Sequence, residues 1–233
     1  MLETITSYTN TQHMSIKNKV IIFGLNDFAE LAHYYLTNDS NYDVVGFTVN
    51  YEYLKDCTFK GLPVIAFEEI ELHFPPDKYL LFSPMTGIRM NTVREKIYLQ
   101  GKLKGYEYAS YISSKAVIFN NEIGENCFIL ENNTLQPFTK IGNNVILWSG
   151  NHIGHHSIIE DHVFFTSHVV MSGHCLIKKR AWIGVNSTLR DYITVGEGCL
   201  IGMGSLITKS TDNYSFYLGS PARKSDRLAI DVY

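Results

Sequence analysis

Beginning at Val117, Ile123, Ile129 and Leu135, every sixth residue is a large aliphatic, Phe or Met, and the run reaches Ile201 and Ile207 without a slip in phase. Four residues beyond the large one sits a compact side chain, as at Cys127, Asn133, Thr139 and Val145. Glycine recurs directly after the large residue, at Gly124, Gly142, Gly154, Gly184, Gly196 and Gly202. A helix repeats its apolar face about every 3.6 residues and a half-buried strand alternates, so a period of six fits neither. It fits a coiled sheet in which each hexad is one short strand and a corner, and three hexads close a coil. The large residue then fills the interior, the compact one fits beside the corner, and glycine relaxes the backbone there. The repeat predicts a parallel β-solenoid over residues 113–212.

The stretch before it reads differently. Residues 1–17 are expected to be a tail that packs on a neighbour, and residues 18–112 an α/β domain. Lys19–Phe23 is a continuous apolar run ending at Gly24, as for a buried parallel strand. Asn26 or Asp27 caps a helix whose apolar face is Phe28, Leu31, Ala32, Tyr35 and Leu36. Asp43–Val49 reads as a second strand, residues 64–67 and 77–82 as two more. A helix with Met90, Val93 and Ile97 inward follows, with Arg89 and Arg94 in its early turns. A βαβ opening of this kind binds nucleotides at the carboxyl ends of its strands. Gly24-Leu25-Asn26-Asp27 holds one glycine where a dinucleotide loop has three, so on the residues alone it is as much an ordinary turn as a phosphate cradle.

At 233 residues the chain has room for one large or two modest domains. A formal charge of −3 with no basic stripe argues against nucleic acid. No apolar run is long enough to span a bilayer, and residues 1–15 lack a cationic head followed by an apolar core, so no signal peptide is expected. Cys127, Cys175 and Cys199 fall in the compact interior slot, too far apart or on different faces to bridge, and are expected as reduced thiols of a cytoplasmic protein. His156, His162, His168 and His174 recur every six residues. Successive hexads turn by about a third of a coil, so only His156 and His174 stack and these four cannot meet at one ion within a subunit; no metal is expected.

The words around the hexads carry a resemblance. Asn151-His152-Ile153-Gly154-His155-His156-Ser157, Ile183-Gly184-Val185-Asn186-Ser187 and Gly219-Ser220-Pro221-Ala222-Arg223 resemble the NeuD/PglD-type hexapeptide acyltransferases. The resemblance covers nearly the whole chain, since that family also sets a small α/β domain before its solenoid. It implies a left-handed parallel β-helix, acetyl-CoA as donor, a nucleotide-linked amino sugar as acceptor, and a homotrimer with acetyl-CoA in the cleft between subunits. It also implies an N-acetyltransferase of glycan or polysaccharide biosynthesis. An O-acetyltransferase of the same scaffold with another acceptor, and a solenoid that only binds sugar nucleotides, stay open.

By that resemblance His155 is the general base. A neutral imidazole, with an unperturbed pKa of ~6.5, is matched to take the proton an amine loses on becoming an amide. Gly173 matches the glycine whose amide faces the acyl group. The family commonly follows its histidine with an acid; here His156 stands in that place, leaving Glu160, Asp161, a neighbouring subunit's acid or a carbonyl to orient the ring. Asn186 matches the pantetheine track. Pro221, Ala222, Arg223 and Lys224 belong to a C-terminal loop (residues 213–233) over the adenine, with the two cations near the 3′-phosphate. For the acceptor the resemblance implies Gly24, Asn26, Asp27, Asn50, Ser83 and Arg89. Phe128, Phe138, Ile146, Trp148, Phe164, Val170 and Trp182 take outward solenoid positions, more apolar surface than a monomer leaves bare, and the trimer that the resemblance implies would cover them.

Overall fold

The computed structural model describes residues 18–233; the expected tail of residues 1–17 lies outside them. Strand β1 (Lys19–Phe23) leads into helix α1 (Asp27–Asn38), whose N-cap is Asn26: its side-chain oxygen accepts from the Ala29 N–H at 3.3 Å. Ala29, Ala32 and Leu36 are its buried face. Strands β2 (Asp43–Val49), β3 (Thr58–Phe59) and β4 (Leu62–Ala66) follow, then the one-turn helix α2 (Ile70–His73), β5 (Leu80–Phe82) and α3 (Thr92–Leu103). The sheet order is β3-β4-β2-β1-β5, parallel except for the β3 edge. The fourth strand begins two residues before the expected stretch and the fifth is shorter, because Pro75 to Tyr79 is taken up by a turn. Helix α3 begins beyond Met90, so Arg89 precedes the helix rather than lying in its first turn.

From Tyr111 onward the chain is a left-handed parallel β-helix of two-residue strands in three faces. The interior is the predicted ladder: Ile129, Leu135, Leu147, Ile153, Phe165, Met171 and Ile201 are all fully buried. Cys127, Cys175 and Cys199 are buried free thiols, and burial pushes Cys127 and Cys199 up to about 12. Cys57 is free and exposed.

Three expectations are corrected. The phase does slip, once. Leu135 pairs with Ile153 on one side and with Ile118 on the other, so Ile118 packs on the core and Val117 is 47 % exposed. The first coil is one residue short, and its first rung is Tyr111–Ile112, paired with Phe128–Ile129.

The glycines do not relax the corners. A Cβ on Gly154 would lie 2.4 Å from the Ser172 carbonyl carbon, and one on Gly184 2.5 Å from the Met203 nitrogen. These positions need glycine because the next coil's backbone passes too close for a side chain. The left-handed corner residue comes two positions later and is Asn126, Asn132, Asn144, His156, His162, His168, His174 or Asn186, with φ between 55° and 64°. Asn and His tolerate that conformation better than most residues. The six-residue histidine recurrence therefore has a backbone cause.

The apolar outward positions are covered largely within the chain. Phe128, Ile146 and Phe164, with the half-buried Trp148 and Trp182, lie on the one face that is apolar from bottom to top. They join a core cluster with Val20, Ile22, Ala32 and Phe82 of the α/β domain. Phe82 and Phe128 meet edge-on at 5.4 Å, as do Phe28 and Trp148 at 5.3 Å. Phe138 (71 % exposed) and Val170 (46 %) remain outside this interface. The apolar run is thus the seat of the α/β domain, and by itself calls for no second subunit.

Candidate active site

The three corner edges of the prism carry different chemistry. On one, Asn126, Asn144, His162 and Arg180 bind the α/β domain. Asn126 exchanges two hydrogen bonds with Ser83, accepting from its N–H at 2.9 Å and donating to its Oγ at 2.8 Å. Asn91, just ahead of α3, donates to the Arg180 carbonyl at 3.0 Å. Ser83, expected to contact the acceptor, is thus buried in the interdomain contact.

The second edge carries Phe138, His156, His174 and Tyr192, one per coil. Their rings form a column: Phe138 to His156 is 4.6 Å, His156 to His174 4.9 Å at 12°, and His174 to Tyr192 4.6 Å at 4°. His155 stands beside the column, exposed, its ring perpendicular to those of His156 and His174. Its N–H donates to Gln136 Oε1 at 3.0 Å. Its Nδ1 lies 3.0 Å from His156 Nδ1, so one ring donates and the other accepts. The Cε1 side of the ring lies against Gly173: a Cβ built there would lie 2.8 Å from His155 Cε1, 2.9 Å from Nε2 and 3.1 Å from Nδ1. Glycine is required at Gly173 for space, since any side chain would displace the imidazole. Glu160 and Asp161 are engaged elsewhere, accepting from the N–H groups of Lys179 at 2.9 Å and Asn143 at 2.7 Å. Within the described residues, the group on His155 Nδ1 is another histidine.

As expected, His156 and His174 stack while His162 and His168 point from the other edges. The third imidazole beside them is His155, from outside the six-spaced run. Ring nitrogens of His155, His156 and His174 all lie within 4.8 Å of one another. Gln136 was not singled out from the sequence, and His174 was read only as stacking on His156; their positions about one coil from His155 are the signal that would have placed both at the site.

A cleft of about 740 Å³ opens at the carboxyl ends of β1 and β2. Gly24, Asn26 and Asn50 line it, as expected; Asp27, Ser83 and Arg89 do not. Lys55, Tyr53, Met85 and Ile88 do, and nothing in their local sequence pattern announces it. Lys55 is the cation on this lining. Asn50 donates its amide to Glu68 at 3.1 Å.

At the far end the expected loop is a β-hairpin. Ser215–Gly219 adds a parallel rung to the solenoid and Ala222–Leu228 returns antiparallel to it. Ala222, Arg223 and Lys224 line a cavity of about 250 Å³ with Thr208, Lys209 and Tyr217; Pro221 sits in the turn between the strands, outside that lining. Lys224 is paired with Asp212 at 2.8 Å, which holds the Asp212 carboxyl below its ordinary range. Asn186 is on the third edge, with Asn132, Gly150, His168 and Gly204, across a face from His155.

The bacterial transferase hexapeptide family (six repeats) matches residues 122–154 and 138–173. The match falls within the solenoid. Among curated relatives, the acyl-[acyl-carrier-protein]–UDP-N-acetylglucosamine O-acyltransferase of Sinorhizobium fredii is 27 % identical over 106 residues. That match spans 42 % of this chain and 39 % of the relative. The serine acetyltransferase of Salmonella typhimurium is 23 % identical over 234 residues, 87 % of this chain and 84 % of the relative. Solved structures share the fold over nearly the whole chain. The acetyltransferase domain of PglB from Neisseria gonorrhoeae superposes with a TM-score of 0.78 at 18 % identity, covering 89 % of this chain and 100 % of that one. PerB from Caulobacter crescentus, in complex with CoA and GDP-perosamine, gives 0.79 at 18 %, covering 89 % and 97 %. WeeI from Acinetobacter baumannii gives 0.75 at 23 %, covering 88 % and 99 %. The α/β-plus-left-handed-helix architecture expected from the resemblance is the one observed. Among the described residues no helix is long and apolar enough to cross a membrane.

Proposed function

We propose that the protein is an acetyl-CoA-dependent N-acetyltransferase of a nucleotide-linked amino sugar, with His155 as its general base. The observation that carries this reading is the seating of His155 against Gly173. An exposed imidazole has Nδ1 held by His156 and its Cε1 side against backbone without a side chain, where a thioester and an amine have room to meet Nε2. The neutral amine attacks the thioester carbon; the C–S bond breaks, the N–C bond forms, and the proton leaving nitrogen passes to His155 Nε2, CoA departing as the thiol once protonated. The Gly173 N–H is the donor proposed for the oxygen that gains charge. His156 holds the base through Nδ1 in the place where an acid is usual.

The acceptor is assigned to the cleft of Gly24, Asn26, Asn50 and Lys55, with Lys55 meeting the phosphates. The donor's adenosine end is assigned to the hairpin cavity, where Arg223 and Lys209 supply charge and Lys224 exchanges Asp212 for phosphate. The full-length fold likeness to PerB, which was solved in complex with CoA and GDP-perosamine, supports a sugar nucleotide over a free amino acid. A homotrimer is part of this proposal, and placement supports it. The α/β domain occupies one face and the Asn144 edge, whereas His155 stands on the next edge and Asn186 on the third. A second copy brings a His155 edge to each cleft and an Asn186 edge to each His155.

Release of free thiol from acetyl-CoA, measured across UDP-, dTDP- and GDP-linked amino sugars and their hydroxyl counterparts, tests the reading. Turnover with an amino sugar only is the expected result. Turnover with the hydroxyl series would make it an O-acetyltransferase, and donor binding without turnover would leave a solenoid that only binds.

A further inference from the structure

The cluster at the base contains three imidazoles and, among the described residues, no carboxylate in contact with them. His174 is tied to His155 by a main-chain hydrogen bond from its N–H to the His155 carbonyl at 2.9 Å, and His156 follows directly in sequence. The three Cα atoms are therefore fixed relative to one another by the coil itself, and none of the side chains is buried. Two nitrogen ligands on a tetrahedral ion with bonds of about 2.0–2.1 Å lie roughly 3.3 Å apart. His155 Nδ1 and His156 Nδ1 are already 3.0 Å apart. A His174 ring nitrogen belongs to the same group within 4.8 Å, so closing the three on one ion asks this exposed ring to leave its stack on Tyr192. A set of neutral imidazoles without oxygen donors selects late first-row divalent ions, Cu²⁺, Zn²⁺ and Ni²⁺, over Mg²⁺ and Ca²⁺.

We infer that His155, His156 and His174 bind one such ion, and that the ion switches the base off. An ion on His155 Nδ1 takes the lone pair on that side and leaves the ring's proton on Nε2. A nitrogen that carries its proton cannot accept one, so acyl transfer stops while the ion is bound. The ion is an inhibitor here, not a cofactor. Its binding stands on the geometry alone; its effect on turnover rests on the proposed role of His155.

The test is equilibrium dialysis of the untagged full-length protein against Zn²⁺, with and without excess Mg²⁺, beside His174→Phe. Phe138 already occupies the same left-handed corner two positions along the column, with φ 66°, so this substitution suits both the backbone and the stack. The expected result is one Zn²⁺ per chain, undisturbed by Mg²⁺, with affinity in His174→Phe lower by about tenfold or more. Thiol release should be inhibited by Zn²⁺ and restored by chelator, each variant compared with its own metal-free rate, with the inhibition shifted by the same factor. Absence of bound Zn²⁺, or unchanged affinity in His174→Phe, overturns the site. Binding without inhibition in an active enzyme overturns the switch. A chain that turns over no sugar leaves the dialysis result to decide the site by itself.

Discussion

Arg94 of helix α3 donates to both the main-chain and the side-chain oxygen of Asn144, a left-handed corner residue of the solenoid, at 2.6 and 3.2 Å. The guanidinium is 1 % exposed and has no carboxylate against it; it is held by Asn91 Oδ1 and the His162 carbonyl as well, and lies over the Phe164 ring. Oxygens that end one coil's corner are thereby satisfied by the other domain. The charge is spent on joining the two halves.

Arg94→Ala should therefore destabilise the protein by about 2–4 kcal/mol, since it opens a cavity and leaves buried oxygens unpaired. Thermal unfolding should show Tm lower by roughly 5–15 °C. Arg94→Lys should recover little of this, because an ammonium lacks the planar fork. Equal stability of Lys and Arg variants would contradict the account.

His162 lies in the same contact. Burial pushes its pKa down to about 4; Glu95, 3.6 Å from Nε2, and Asp161 oppose the shift, while Arg94 and Lys179 add to it. Its Nδ1 accepts from the Asn144 amide at 2.9 Å, a bond that a proton on Nδ1 would remove. The folded state binds fewer protons than the unfolded one between about 4 and the ordinary 6.5, so this contribution is complete above 6.5 and is lost as pH falls toward 4. His162→Asn suits the left-handed corner and should lose less Tm than the wild type over that range. A parallel fall in both would remove His162 as the cause.

Gly173→Ala should act on chemistry rather than folding. Its Cβ cannot coexist with the present position of His155, whose exposed side chain can swing away. A displacement of about 1 Å at the base costs on the order of 10²-fold in rate. The measurement is kcat for thiol release together with Tm, the first falling and the second nearly constant.

His155→Ala should lower kcat by roughly 10² to 10⁴ with the oligomer and donor binding intact. Undiminished turnover would end its assignment as the base.

Lys55→Ala should raise KM for the sugar nucleotide by about tenfold with kcat little changed, as expected for a charge that binds substrate and transition state alike. The same substitution should leave KM for acetyl-CoA unchanged. An effect confined to the donor would move the acceptor out of the cleft.

Much of this protein follows from its sequence. A six-residue period has one solution, the three-faced coil, because each strand is too short to be buried except by its neighbours one coil away. The strands β1 and β2, the Asn26 cap and the buried thiols were legible for the same reason, being set by local pattern. His155 and His156 were legible as a motif. What stayed out of reach depended on which side of the prism meets what. The apolar residues Phe128, Ile146 and Phe164 say only that their face is covered; that the cover is the chain's own α/β domain is decided by the packing of α1 and β5. Ser83 reads as a ligand-binding group, yet the docking of that domain buries it. Glycines after the large residues look like corner residues until the next coil's backbone shows them to be points of close approach. The gathering of His155, His156 and His174 is of the same kind. Linear spacing disperses histidines around a solenoid, and only the stacking of one coil on the next brings residues a full turn apart to within reach of a single proton or ion.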